Sequence, residues 1–507
     1  MNPKLTLQFL TLAIALLFVG CGQEKEPVAM TGVTLSQTYL TMTEGDTQTL
    51  SAIVQPSNAS NKNVTWTSSN PEIATVDNGN VTAVKAGTTT ITVTTVDGAK
   101  TAKCEVTVLY GKPNEAIIFA DEIMKGMCVK AFDTNGDGEL SFLEASKVTD
   151  LEKMMLTNKT FSSFDEFQYF TSVDDIPNGY FENCRLMTSI VLPESLRAIF
   201  YNAFSGCSNL KQIVIPENVK TIVAQAFSGC SDLESVILPS RLETIQQATF
   251  FCCSSLTSIN IPAGVTRLGN GCFYGCSSLT SVVLPEGVTS LESDCFSGCS
   301  SLSNINIPEG VTSIGDWCFY GCSSLTSIVL PEGVASIGEY AFNGCSSLTN
   351  IVLSEGVTSI GENAFIGCSS LSNINIPEGV TSIGDRCFFG CSSLSNINIP
   401  EGVTSLGDMC FYRCLSLTSI TIPQTIANIG DDVFLGCSDL LSVYVKPMLP
   451  PTLIDNDNSY HHFKWNASGR KIYVPYESLE AYITAEGWSE YADAIVGYDF
   501  ENDKVVE

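Results

Sequence analysis

Cysteine recurs every 23 residues along the second half of this chain, at 184, 207, 230, 253, 276, 299, 322, 345, 368, 391, 414 and 437, without one insertion or deletion. So strict a period restricts the fold severely. Each unit must be one turn of a repeating structure, and successive turns must stack in register. The other columns keep the same phase. Leu stands three residues after Cys (Leu210, Leu233, Leu256 and on to Leu440), and Ile/Val and Leu/Ile stand at plus six and plus eight, as in Ile328 and Leu330. Pro follows at plus nine, broken at Ser354 and, in the last coil, at Lys446, then Val and Ile at plus twelve and fifteen, as in Val334 and Ile337, and Phe at plus twenty from Phe204 to Phe434.

In physical terms each unit, for instance CSSLTSIVLPEGVASIGEYAFNG from Cys322 to Gly344, is one coil. The I-x-L pair points two side chains inward from a short strand, Pro ends the strand, and Glu-Gly makes the following turn. The V-x-x-I pair and Phe fill the far wall. One coil cannot bury this face, but stacked coils can. With one strand per coil and an advance of about 4.8 Å, twelve coils predict a rod of about 58 Å with a parallel sheet along one side. These columns resemble the leucine-rich repeat family, in its 23-residue bacterial, BspA-like form, over more than half the chain. The resemblance implies a solenoid over 161–445 and a surface protein of host-associated bacteria. Cys and Phe replace parts of the usual L-x-x-L-x-L-x-x-N ladder, so less helix is expected on the outer side. Phe161, Phe164 and Phe167 look like a degraded first coil that caps one end. Residues 446–500, with KIYVPYESLEAYITAEGWSEYADAIVG from Lys471, resemble the closing strand and helix, and Glu501–Glu507 are expected to fray.

A second, partial Cys column at 272, 295, 318, 387 and 410 alternates with Ala at 203, 226, 341 and 364. Interchange with Ala marks a small buried position, and both columns read as reduced core thiols. Disulfides between neighbouring coils are the alternative for an exported chain. Zinc fits poorly, because a ladder spreads its ligands along a line.

The chain begins MNPKLTLQFLTLAIALLFVGCGQEKEP. The run Leu5–Val19 is too short to span a bilayer, and it ends at Gly20-Cys21. This resembles a bacterial lipoprotein signal over residues 1–20. It implies acylation of Cys21, membrane attachment by that lipid anchor only, and a linker over 21–29. The acidic residues behind Cys21 resemble a signal for the outer face of the outer membrane. Residues 30–109 are rich in Thr and Val with period-2 patches and regular turn signals, which predicts an antiparallel sandwich with Trp66 at its centre. VTWTSSNPEIATVDNGNVTAVKAGTTTITVT (Val64–Thr94) resembles the bacterial immunoglobulin-like domain, group 2, whose modules serve mainly as spacers.

Between the two lies a helical segment, 112–160, with apolar residues at helical spacing from Ile117 to Val129. It contains a twelve-residue EF-hand-like loop: Asp133, Asn135 and Asp137 as side-chain ligands, Glu139 through its carbonyl, Ser141 through a water, and Glu144 through both oxygens. A structural calcium ion is expected there. The fold class that follows is mainly β: a leucine-rich-repeat solenoid with an N-terminal Ig-like β-sandwich and a short helical EF-hand-like segment.

Net charge is −29, which argues against nucleic acid as a partner. No phosphate loop, G-x-S-x-G or H-E-x-x-H is present. His461 and His462 read as solvated, and Cys128 has no neighbouring His to activate it. The variable strand positions (Val191, Val214, Ile237, Asn260, Val283, Asn306 and onward) form a mild Ser/Asn/Val stripe beside an acidic column from Glu194 to Glu401. The family resemblance implies a non-enzymatic surface lipoprotein that binds host or bacterial surface proteins or glycans. A scaffold without specific ligand and an accessory carbohydrate-binding lipoprotein are the alternatives. The last requires clustered exposed aromatics on the sheet flank, for which Tyr274, Trp317, Tyr320, Tyr340 and Tyr412 are candidates.

Overall fold

The alternating Thr/Val segments do form strands. In the computed structural model, which describes residues 28–97, 99–156, 159–456 and 461–506, the chain divides into two compact units between Tyr110 and Gly111. In the first unit one sheet joins Tyr39–Thr43, Thr101–Leu109, Gly87–Thr95 and Val64–Ser68, and another joins Thr47–Thr49, Asn80–Ala83 and Ala74–Asp77. The sandwich is not wholly antiparallel: Tyr39–Thr43 runs parallel to Thr101–Leu109, with Leu40 opposite Val106. Period-2 alternation places Ile91, Val93, Cys104, Val106 and Val108 inside. Trp66 packs only half-buried at the rim of this core, whose centre is made of aliphatic side chains.

The second unit opens with two helices, Glu122–Phe132 (α1) and Phe142–Ser146 (α2). Asp121 caps α1 by accepting hydrogen bonds from the amides of Ile123 and Met124, each at 2.9 Å. Met124, Cys128 and Phe132 face inward and join the solenoid core. Phe164, Phe167 and Phe170 close the first coil beneath them, with Phe132 edge-on to Phe170 at 5.8 Å.

Most coils then contribute two strands rather than one; at Leu291 and Ile383 the second is reduced to an isolated bridge. The first spans plus five to plus seven, as in Ser327–Val329, and pairs in parallel with its copy one coil on, Ile328 opposite Ile351. The second is shorter and carries the plus-fifteen Ile, as in Ser336–Ile337 opposite Ser359–Ile360. The V-x-x-I spacing hid it, because only one of its residues is apolar and its length is two. A third ladder of backbone bonds links the turns: Phe319 N donates to Ala341 O at 2.8 Å and Gly321 N to Asn343 O at 2.7 Å. Every coil edge is thereby hydrogen-bonded, and the array needs no outer helix. Among the described residues none forms between Phe170 and Val445.

The core is a set of columns. Rings from Phe181 to Phe434 lie stacked at 5.1–5.7 Å between centroids and within 11° of parallel. The stack outlasts the sequence period. Phe463 follows a longer coil yet lies 5.5 Å from Phe434, within 10° of parallel. Trp488 and Tyr491 then cover Phe463. His462, beside it, is fully buried, contrary to the solvated loop expected for it. The C-terminal residues are paired rather than frayed: Lys504–Val505 runs antiparallel to Tyr498 and Asp499.

The described cysteines are free thiols. No disulfide joins any of the described cysteines. Burial pushes the Cys322, Cys391 and Cys437 thiols up to about 12, so they stay protonated and unreactive at neutral pH.

Candidate functional site

A calcium site was the sharpest chemical expectation, and it is overturned. Among the described residues no group of three or more His, Cys, Asp or Glu converges where it could hold a metal ion. The physical reason is visible in the loop, whose oxygens are engaged by its own amides. Asp133 accepts from Gly136 N at 2.7 Å and Gly138 N at 2.9 Å. Asn135 accepts from Asp137 N at 2.8 Å, and Asp137 from Glu139 N at 2.9 Å. Glu139 turns away to an ion pair with Lys125 at 2.8 Å. Ser141 and Glu144 form a reciprocal capping box at the start of α2. Burial alone would raise the Glu144 carboxyl, but hydrogen bonds from Ser141 and Thr134 outweigh it and hold the group at about 2. A spacing of oxygens that suits a cation suits a run of turn amides equally well. Cys21, the expected lipidation site, lies outside the described residues.

The solenoid itself offers two surfaces. On the first sheet the residue between the inward pair is free of any core duty and faces solvent: Val283 is 73% exposed and Val329 62%, with Val214, Ile237 and Val352 alongside. Asn260, Asn306, Asn375 and Asn398 occupy the same column. Thr and Ser at plus four tie this face together, as where Thr349 Oγ1 donates to Thr326 O at 3.0 Å. The column ends in Tyr444 and Tyr473, stacked at 4.8 Å. Glu286, Glu309, Glu332, Glu355, Glu378 and Glu401 line the adjoining turn, all exposed.

The aromatics near the later turn do not make a platform on that sheet. Trp317 and Tyr340 stack on each other at 4.1 Å, Phe251 on Tyr274 at 4.6 Å and Phe389 on Tyr412 at 4.7 Å. Each pair is half-buried and covers one face of each of its rings, and the three pairs lie on separate coils rather than forming one continuous open platform.

The second surface is a groove of about 490 Å³ lined by Ala224, Thr244, Gln246, Gln247, Arg267, Gly269 and Asn270. Nothing in the periodicity marks it. Its signal is the departure of its residues from their columns.

Residues 155–279, 266–388 and 358–450 match the BspA type leucine rich repeat region, together more than half of the chain. The chain belongs to the BspA-type leucine-rich repeat family. Residues 29–106 match the bacterial Ig-like domain (group 2). A leucine-rich repeat protein from Bacteroides ovatus has a similar solved structure, at 28% identity and a TM-score of 0.51 over 64% of this chain and 88% of that one. The curated relatives align over short stretches of the chain. An Ig-like virion protein of Serratia phage KSP90 is 51% identical over 83 residues, 16% of this chain and 32% of that protein. An alpha-L-arabinofuranosidase of Bifidobacterium longum is 48% identical over 82 residues, 16% of this chain and 8% of the enzyme. The chain thus covers a third or less of these relatives. Neither matched family is catalytic, and the repeat family and the Ig-like module have the character of cell-surface proteins. Among the described residues no helix is long and apolar enough to cross a membrane.

Proposed function

We propose that this BspA-type protein is a lipid-anchored outer-membrane protein that displays its solenoid to the cell exterior and binds host or bacterial surface proteins or glycans. The apolar run ending at Cys21 supports the anchor, and the Ig-like module suits a spacer behind it. One observation carries the binding role: the exposed column of the first sheet from Val191 to Val352. Stacking fixes the residues on either side of each member but not the member itself, yet most are aliphatic and well exposed. Exposed apolar residues recurring along one face of a solenoid mark an interaction face. Asn at the same positions adds amide donors and acceptors without charge.

The experiment is a binding screen of the full chain, made soluble by Cys21→Ser, against immobilised extracellular-matrix proteins and mucin glycans. Saturable binding that falls when Val283→Glu and Val329→Glu are introduced together is the expected result. Absence of binding across the screen would instead favour a scaffold with no ligand. Protease shaving of intact cells should release fragments of the solenoid; protection of the whole chain would contradict outward display.

A further inference from the structure

The coils are near-copies, so the places where one face abandons its own columns carry the information. On the flank of the second strand, columns sixteen and seventeen after Cys read Gly-acid through Gly315-Asp316, Gly338-Glu339, Gly361-Glu362, Gly384-Asp385, Gly407-Asp408 and Gly430-Asp431. The five coils before these read Phe200-Tyr201, Val223-Ala224, Gln246-Gln247, Gly269-Asn270 and Glu292-Ser293, and only the third and fourth carry side-chain amides. The amides of these two adjacent coils, where the later coils carry carboxylates, line the 490 Å³ groove. Column fourteen is Thr at Thr221 and Thr244 and Ser in the six coils from Ser290 to Ser405, but at the groove it is Arg267, whose side chain is 65% exposed.

Charge changes over the same boundary. Residues 184–267 hold six cations against five acids, whereas 268–385 hold eleven acids and no cation. Arg197 and Lys220 stand exposed on neighbouring coils one column away, where Lys220 N donates to Arg197 O at 2.9 Å. The lining therefore combines side-chain amides and a hydroxyl, which donate and accept hydrogen bonds as sugar hydroxyls require, with a guanidinium, which pairs with carboxylate. The Arg267 Nε is 3.6 Å from Glu292 Oε1, a loose pairing that a ligand carboxylate would share or displace.

We propose that this groove is a binding site for a carboxylated sugar of an acidic glycan, with Arg267 on the carboxylate and Gln246, Gln247, Thr244 and Asn270 on the hydroxyls. It is formed by a different part of each coil from the exposed first-sheet column, so it stands or falls separately from the face proposed above.

The test uses the full chain with Cys21→Ser, a hexuronic acid tetrasaccharide, and its carboxyl-reduced neutral counterpart, with binding measured by calorimetry. The groove is returned to the residue types its own columns hold elsewhere by Arg267→Ser, Gln247→Glu and Asn270→Asp. Coils further along the array already fold with these residue types at the same columns, and unchanged circular dichroism and melting verify that the triple variant folds. The wild type should bind the uronate about tenfold or more tightly than the neutral sugar, and the triple variant should lose that binding by a similar factor. No uronate binding by the wild type, equal affinity for the neutral sugar, or undiminished binding by the folded triple variant would each overturn the assignment. Retained uronate binding by the Val283→Glu, Val329→Glu variant would separate this site from the first-sheet face.

Discussion

The thiol of Cys322 donates to the carbonyl oxygen of Phe296, 3.2 Å away and 26 residues earlier in the chain. The same bond recurs from Cys207 to Phe181, Cys345 to Phe319, Cys391 to Phe365 and Cys437 to Phe411, at 3.0–3.2 Å. It accounts for cysteine at a column where Ala would fit less well: the side chain fills a fully buried site and also gives a partner to a carbonyl that the turn leaves over.

Replacing Cys322 by Ala should therefore cost more than its lost volume. Burial and the missing donor together are expected to destabilise the local coils by about 1–2 kcal/mol. Cys322→Ser, which keeps a donor but desolvates a hydroxyl, should fall between wild type and Ala. Native-state hydrogen exchange of the amides in coils 299–345 reads the difference, because a solenoid opens locally rather than all at once. Equal losses for Ser and Ala would refute a role for the donor.

Phe319 has a stacked ring on each side, at 5.7 Å from Phe296 and 5.4 Å from Phe342, and no exposure. Phe319→Ala should cost about 3–5 kcal/mol and split the array's unfolding into two transitions in a urea titration. A single unshifted transition would mean the column is not continuous.

A methyl on Gly338 would sit 2.5 Å from the backbone nitrogen of Asp316 in the coil before. Backbone cannot yield as a flexible side-chain tip can, so Gly338→Ala should lower stability by about 1–3 kcal/mol through forced separation of two coils. Thermal melting checks it. An unchanged melting temperature would show that the coils have slack along this column.

Acid should loosen the α1–α2 segment. The Glu144 carboxyl is depressed to about 2, so its bonds to Thr134 and Ser141 contribute fully above the ordinary carboxylate range near pH 4.5 and are lost as pH falls toward 2. Glu144→Gln should remove that pH dependence and weaken amide protection at Thr134 and Ser141 already at pH 7. Protection at these two amides that stays flat from pH 5 to 2 in the wild type would exclude the mechanism.

The repeat architecture was legible from sequence because stacking imposes one residue type per column, so Cys, Leu, Ile and Phe repeat where the core demands them. The second strand was not legible, since Ser336–Ile337 shows one apolar residue and no alternation. Nor was the continuation of the Phe stack to Phe463, where an enlarged coil breaks the count but not the geometry. The calcium loop failed for a different reason. Asp133, Asn135, Asp137 and Glu144 are the residues a cation would choose, and local amides chose them first. The groove at Arg267 is detectable only by asking which residues disobey their columns, a question that needs the structure to say that they lie side by side.

The central claim is that each 23-residue unit is one interchangeable coil. Deleting Cys322–Gly344, which joins Gly321 to Cys345, tests it most directly, with deletion of only the first half of that unit as the contrast. Removing the whole unit should leave a folded protein with the same circular dichroism and, in a crystal structure, a solenoid shorter by one strand spacing of about 4.8 Å with the Phe columns rejoined. The half-unit deletion should unfold or aggregate. A whole-unit deletion that fails to fold, or a half-unit deletion that folds as well, would contradict the stacked-coil architecture.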